Sequence, residues 1–293
     1  MIGLERFSLN QATIRKADLE TAVGVTAEAG IPAIGLWREP VQQYGVDAAV
    51  RLVRGAGLRV SSLCRGGFFT MPEGSKRRVA LDDNRKALDE AAALGAPTLV
   101  LVVGGLVAGS RDLAGARFRV ADALSELAPH ARATGVSLAI EALHPMYVSD
   151  RAVVSTLKQA LDLAAPFSPD EVTVMVDTFH LWWDPELPAQ IARAGAEGRI
   201  ASFQVCDWVT PIAKDPLLSR GIPGDGDIDF AAFTALVRNA GYAGDVECEV
   251  FRQEIWDDDP ADVARRAARA FTELVAPHLS TPSPVHHGGG GDS

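Results

Sequence analysis

Cysteine is scarce in this chain and widely scattered. Cys64, Cys206 and Cys248 are the only three, and none forms a CxxC pair, so the sequence offers neither a disulfide framework nor a paired-thiol metal motif. Cys206 and Cys248 fall in apolar runs, where a reduced core thiol is expected. No run approaches the roughly 20 apolar residues of a membrane span. The start, MIGLERFSLNQ, has no basic region followed by an apolar stretch, so a secretory leader is not expected and a cytoplasmic location is. Positive charge is short as well: a formal charge of −10 argues against nucleic acid and anionic membranes as partners. Finally, FSLNQATI after the first strand carries no glycine-rich phosphate loop, which disfavours an open dinucleotide-binding sheet.

What is present is alternation. Short apolar runs predict strands over Arg6–Leu9, Ala33–Trp37, Leu58–Leu63, Thr98–Val103, Ser137–Glu141, Thr173–Asp177, Ser202–Cys206 and Asp245–Val250. TLVLVV and VTVMV are apolar at every position, as parallel strands covered on both faces should be. Amphipathic, alanine-rich stretches predict helices over Ala17–Ala29, Val46–Gly55, Lys76–Leu94, Gly115–Ala133, Val153–Ala164, Leu187–Ala196, Phe230–Ala240 and Ala261–Leu274. KALDEAAALGAP shows the expected stop, with Gly95 after the last apolar turn and Pro97 two residues on. Eight such units in 293 residues call for an α/β fold, a single (β/α)8 TIM barrel over 1–279. The tail 280–293, STPSPVHHGGGGDS, has no apolar period and reads as disordered, with His286 and His287 in it.

In such a barrel, side chains at the C-terminal strand ends converge on one mouth. Glu141 in SLAIEALHP, Asp177 in VTVMVDTFH, Gln204 in IASFQVCDW and Glu249 in VECEVFRQE all sit there. Buried carboxylates need a partner, and one divalent cation serves all four groups. An all-oxygen set favours Mg2+ or Mn2+, with Co2+ allowed, over zinc. Glu247 shares the parity of Glu249 and so faces the same side of its strand, leaving the choice between them open. His144, three residues after Glu141, is either a turn histidine ahead of Pro145 or a general base. Trp37 at the end of strand two and Trp182 after the sixth offer aromatic walls for a sugar, although core packing explains either equally. RGGFF after strand three predicts a flexible loop at the mouth, with Phe68 and Phe69.

VDTFHLWWDP, FQVCDW, PGDGDIDF and EVFRQEIW together resemble the sugar phosphate isomerase/epimerase family, the xylose-isomerase-like barrels. That group includes keto-sugar epimerases, inosose dehydratases and isomerases, and 3-dehydroshikimate dehydratases. The likeness runs over roughly residues 1–276 and is densest from Glu141 onward. It implies that Glu141, Asp177 and Glu249 bind one metal, that His180 in Asp-x-x-His lies over the substrate, and that Arg220 reaches the substrate. At the seventh strand the family reads His, or Gln in some dehydratases, and this chain has Gln204. The amide is the harder ligand, which favours Mg2+ or Mn2+ and strengthens a lyase alternative.

The expected activity is therefore metal-dependent isomerisation or epimerisation of a keto sugar or related polyol through an enediolate, with Glu141 and Glu249 relaying protons. The alternatives are a dehydratase or keto-glycoside β-elimination with His144 as base, and an inactive sugar-binding barrel. An endonuclease IV-type barrel is disfavoured, since its three-metal site needs many histidines and the chain has six. The partner is a small sugar or cyclic polyol, and homo-oligomerisation is left open.

Overall fold

The computed structural model describes residues 3–279; the tail reading lies outside the described residues. Eight parallel strands close into a barrel. They are β1 (Phe7–Asn10), β2 (Ala33–Trp37), β3 (Arg59–Gly67), β4 (Thr98–Val102), β5 (Ser137–Ile140), β6 (Val172–Asp177), β7 (Ile200–Val205) and, closing the ring, β10 (Val246–Cys248). The ring order is β1-β10-β7-β6-β5-β4-β3-β2. A separate antiparallel ribbon, β8 (Asp207–Trp208) with β9 (Arg220–Gly221), stands in the connection after β7. Among the described residues, no helix is long and apolar enough to cross a membrane.

The eight predicted strands coincide with the eight observed, apart from their ends. The largest difference is in β3, where the first three residues of the segment expected to be a flexible loop, Arg65 to Gly67, continue the strand. Asn84 accepts from the Gly67 N–H (2.7 Å) and donates to the Gly67 carbonyl (3.0 Å). A Cβ at Gly67 would lie 1.9 Å from the Val102 carbonyl oxygen, so only glycine allows this approach. Phe69 is buried beneath this extension while Phe68 stays exposed.

Helix ends follow local chemistry. Gly95 is left-handed (φ 75°) and closes the helix Ser75–Leu94, as its position after the last apolar turn predicts. Three short helices at the mouth, Arg38–Tyr44, Thr178–Leu181 and Gln253–Asp257, lack the length to show a period in the sequence. Asp177 caps the second of them, accepting from the N–H groups of Phe179 (2.7 Å) and His180 (3.3 Å).

Inside the barrel the packing is layered. Cys64, Val100, Ala139 and Met175 fill one apolar patch. Ser8, Asn10, Ser61, Ser62, Gln204 and Glu247 form a polar layer, all buried. Pairing sets Asp177 opposite Gln204, and Gln204 opposite Glu247. A strand period of two turns them to one side, toward the barrel axis.

Candidate metal centre and substrate cavity

A cavity of about 590 Å³ opens at the C-terminal strand ends. Trp37, Glu141, His180, Arg220 and Glu249 line it. Asp177 and Gln204 lie just behind this wall. His144 and Trp182 do not line it: the His144 ring packs against Trp183 (5.3 Å between centroids) and Trp208 (5.2 Å), and Trp182 packs against Trp208 (5.6 Å). His144 instead caps the turn Pro145–Tyr147, its Nδ1 accepting from the Met146 N–H at 3.3 Å. A turn histidine is what the geometry shows.

Glu247 and Glu249 share a strand face but have different neighbours. Glu247 is held by four donors at 2.5–2.8 Å: the amides of Asn10 and Gln204 on one oxygen, the hydroxyls of Ser61 and Ser62 on the other. A Cβ at Gly35 would come within 2.6 Å of that carboxylate, so the facing strand must carry glycine. Glu249 lies one step nearer the mouth, just beyond β10, and meets Arg220.

Arg220 is buried among the acids. Its Nη1 donates to Asp177 Oδ2 (3.2 Å), Glu249 Oε2 (3.0 Å) and the Glu249 carbonyl (3.2 Å). Its guanidinium carbon lies 4.9 Å from the Phe179 ring centre and 5.2 Å from that of Phe251. The loop bearing it is clamped by Asp207, which accepts from the N–H groups of Gly224, Gly226 and Ile228. PGDGDID is thus an ordered turn.

One guanidinium cannot balance this many buried acids. Burial, then Glu249 and Asp177, pushes the Glu141 carboxyl well above its ordinary value. Burial likewise raises Asp177, against the pull of Arg220. Glu249 is pushed up to about 8, chiefly by burial, with Arg220 opposing. His180 is driven well below its ordinary value by burial and by Arg220, so its ring is neutral. Its approach to Glu141 (3.8 Å) is therefore not an ion pair.

Cation fit can be judged from atoms that lack a partner. Glu141 Oε1 and Gln204 Oε1 are buried acceptors without any hydrogen bond, a costly state unless something positive meets them. Glu141, Asp177 and His180 bring ligand atoms within 4.8 Å of one another, a group able to hold a metal ion. The His180 ring has a further constraint. Its Nδ1 faces the His144 N–H (3.2 Å) and its Nε2 faces Arg220 Nη2 (2.8 Å), two obligate donors of which a neutral ring can accept only one. The residues present fit a divalent cation.

A family model described as a xylose isomerase-like TIM barrel matches residues 23–274. The chain belongs to this family. Within it, the chain is similar to an L-ribulose 3-epimerase of Mesorhizobium japonicum, 29% identical over 47% of this chain and 41% of that protein. An inosose isomerase of Bacillus subtilis is 26% identical over 54% of this chain and 56% of that one. A 3-dehydroshikimate dehydratase of Pseudomonas aeruginosa is 32% identical over 52% of this chain and 23% of that protein. The chain thus matches these curated xylose isomerase-like relatives over about half of their length or less. A solved structure of a Sinorhizobium meliloti protein superposes with a TM-score of 0.90 at 45% identity, covering 93% of this chain and 99% of that one. The IOLI protein, solved with a bound zinc atom, shares the fold at a TM-score of 0.82 and 20% identity, covering 94% of this chain and 100% of that one.

Some residues of the site escape sequence reasoning. Asn10, Ser61 and Ser62 support Glu247 from two separate strands, β1 and β3. Arg15, Arg65 and Arg151 join the cavity wall. Asn10 and Arg65 do stand at strand ends, a signal available in the sequence. Arg15 and Arg151 have none, because they lie in connections.

Proposed function

We propose that this barrel is a divalent-metal-dependent isomerase or epimerase acting on a keto sugar or related polyol, through proton transfer at the carbon beside a carbonyl. The observation that carries this reading is the pair of orphaned buried acceptors, Glu141 Oε1 and Gln204 Oε1, beside Asp177 and Glu249. Glu141, Asp177, Gln204 and Glu249 would hold the metal, with Mn2+ or Mg2+ preferred by the oxygen donors. A divalent cation there supplies Lewis-acid polarisation of the substrate carbonyl.

The chain's own groups account for the rest. Glu141 follows β5 and Glu249 follows β10, with β6 and β7 between them in the ring, so the two carboxylates reach a bound carbon from different sides. Burial raises both carboxyls above the ordinary carboxylate range in the metal-free protein, which makes each a stronger base than a solvated carboxylate. His180 Nε2 and Arg220 Nη2 meet at the cavity wall, 2.8 Å apart, and would lie together against a substrate oxygen. Trp37, fixed by its indole N–H to Asn10 (2.9 Å), offers a flat wall to C–H faces. The lyase alternative draws no support from His144, whose ring is packed away from the cavity.

The test is exchange of solvent deuterium into substrate, followed by NMR over keto sugars, inososes and dehydroshikimate with Mn2+ or Mg2+. Exchange at the carbon next to the carbonyl is expected, lost in Glu141→Gln and Glu249→Gln. Full exchange in chelator-treated protein, or none on any member of the panel, would overturn the reading.

A further inference from the structure

We propose that the substrate carries an anionic group, a carboxylate or a phosphate ester, received by Arg65 on the cavity wall. This rests on the isomerase reading and narrows its substrate class. Arg65 follows Cys64 in β3 and is half-buried, yet among the described residues it makes no hydrogen bond and no ion pair. Its only partners are aromatic faces: its guanidinium carbon lies 5.6 Å from the Trp37 ring centre and 4.9 Å from that of Phe68. These rings hold the plane of the guanidinium and leave its N–H edges free. Phe68 is the one non-glycine residue with positive φ (63°) among the described residues, a conformation costly for a bulky side chain. The chain accepts that cost in the residue that covers Arg65.

The surrounding charge points the same way. Four arginines line the cavity, Arg15, Arg65, Arg151 and Arg220, and no lysine does. Arg220 is spent on Asp177 and Glu249. Arg151 makes two loose ion pairs, with Asp150 (3.6 Å) and Asp215 (3.8 Å), and its Nε is buried without a hydrogen-bond partner. The cavity lining sets four arginines against four carboxylates, Glu39, Glu141, Asp215 and Glu249, so a divalent cation held by the acids would leave the wall net positive in a chain of formal charge −10. A neutral polyol needs donors and acceptors but no spare cation. A guanidinium with a free planar fork is suited to bidentate capture of a carboxylate or phosphate.

The experiment compares three ligands on one carbon skeleton: D-fructose, D-fructuronate (a terminal carboxylate in place of CH2OH) and D-fructose 6-phosphate. Dissociation constants are measured with the Mn2+-loaded protein by tryptophan fluorescence, to which Trp37 contributes. One of the anionic ligands is expected to bind about ten-fold or more tighter than fructose, the scale of a charge-assisted hydrogen bond. Arg65→Gln should bring the three within about two-fold of one another on that same scale, and Arg65→Lys should keep part of the preference. Preference for fructuronate identifies a sugar acid, and preference for the phosphate identifies a phosphate ester. No preference, whether all three bind alike or none binds, overturns the inference, as does a preference that survives in Arg65→Gln. Deuterium exchange in the same samples separates the two levels: exchange without anion preference removes this inference alone, and anion preference with no exchange on the wider panel removes the isomerase reading alone.

Discussion

Replacing Arg220 with methionine should expose the electrostatic problem at the centre of the barrel. The guanidinium pairs with both Asp177 and Glu249, and it is 2% exposed. Removing one partner from a buried ionic cluster costs about 3–5 kcal/mol. The lower end applies here, because Glu249 already titrates at about 8 and can stay protonated in the variant. In the presence of chelator, Arg220→Met should therefore lose about 3 kcal/mol, or about 6–12 °C in Tm for a domain of this size. A divalent cation at about 100 times its Kd returns about 2.7 kcal/mol. It should stabilise the variant more than wild type, where it must share Asp177 Oδ2 and Glu249 Oε2 with the guanidinium. Urea unfolding with and without Mn2+ measures both quantities. A loss below about 1 kcal/mol, or a metal increment in wild type equal to or larger than in the variant, refutes the reasoning.

Four further outcomes follow from the same geometry. Glu141, Asp177 and Glu249 all have raised pKa values, so the folded metal-free protein keeps protons that the unfolded chain has released; its stability should fall as pH rises from the ordinary carboxylate range to about 8. By the same linkage, metal binding near neutrality should release protons, seen as a calorimetric enthalpy that varies with buffer ionisation heat; a buffer-independent enthalpy would count against these ligands. Glu247→Ala strands four buried donors and should cost about 3–5 kcal/mol in urea unfolding, while Glu247→Gln, which keeps one oxygen facing the two amides, should cost about half as much; equal losses in the two variants would argue against the hydrogen-bond account. Gln204→His should still bind metal but shift preference toward zinc, read by competition between Zn2+ and Mn2+; unchanged selectivity would remove Gln204 from the ligand set.

Periodicity carried the architecture a long way. Eight apolar runs and eight amphipathic stretches placed all eight barrel strands, because a doubly covered parallel strand must be apolar on both faces. The errors fell where a distant residue decides the local outcome. RGGFF looks like a loop by composition, and Asn84, from the following helix, pins its first three residues as strand. His144 and His180 each stand three residues after a strand-end acid, so spacing alone treats them alike. Only one enters the cavity: a proline turn after His144 directs its ring to Trp183 and Trp208, whereas the helix capped by Asp177 presents His180 inward.

The sequence by itself determined the barrel and the set of oxygen-bearing side chains at its mouth, since both follow from local pattern and strand polarity. It could not rank Glu247 against Glu249, because parity treats them as equals. Tertiary structure separated them: strand order surrounds Glu247 with four donors from β1, β3 and β7 and leaves Glu249 beside Arg220. Burial and charge are sums over neighbours far apart in the chain, as between Asp177 and Arg220, 43 residues apart. The placement of one guanidinium among the acids, and of another unpaired at the cavity wall, is therefore decided only when the ring closes.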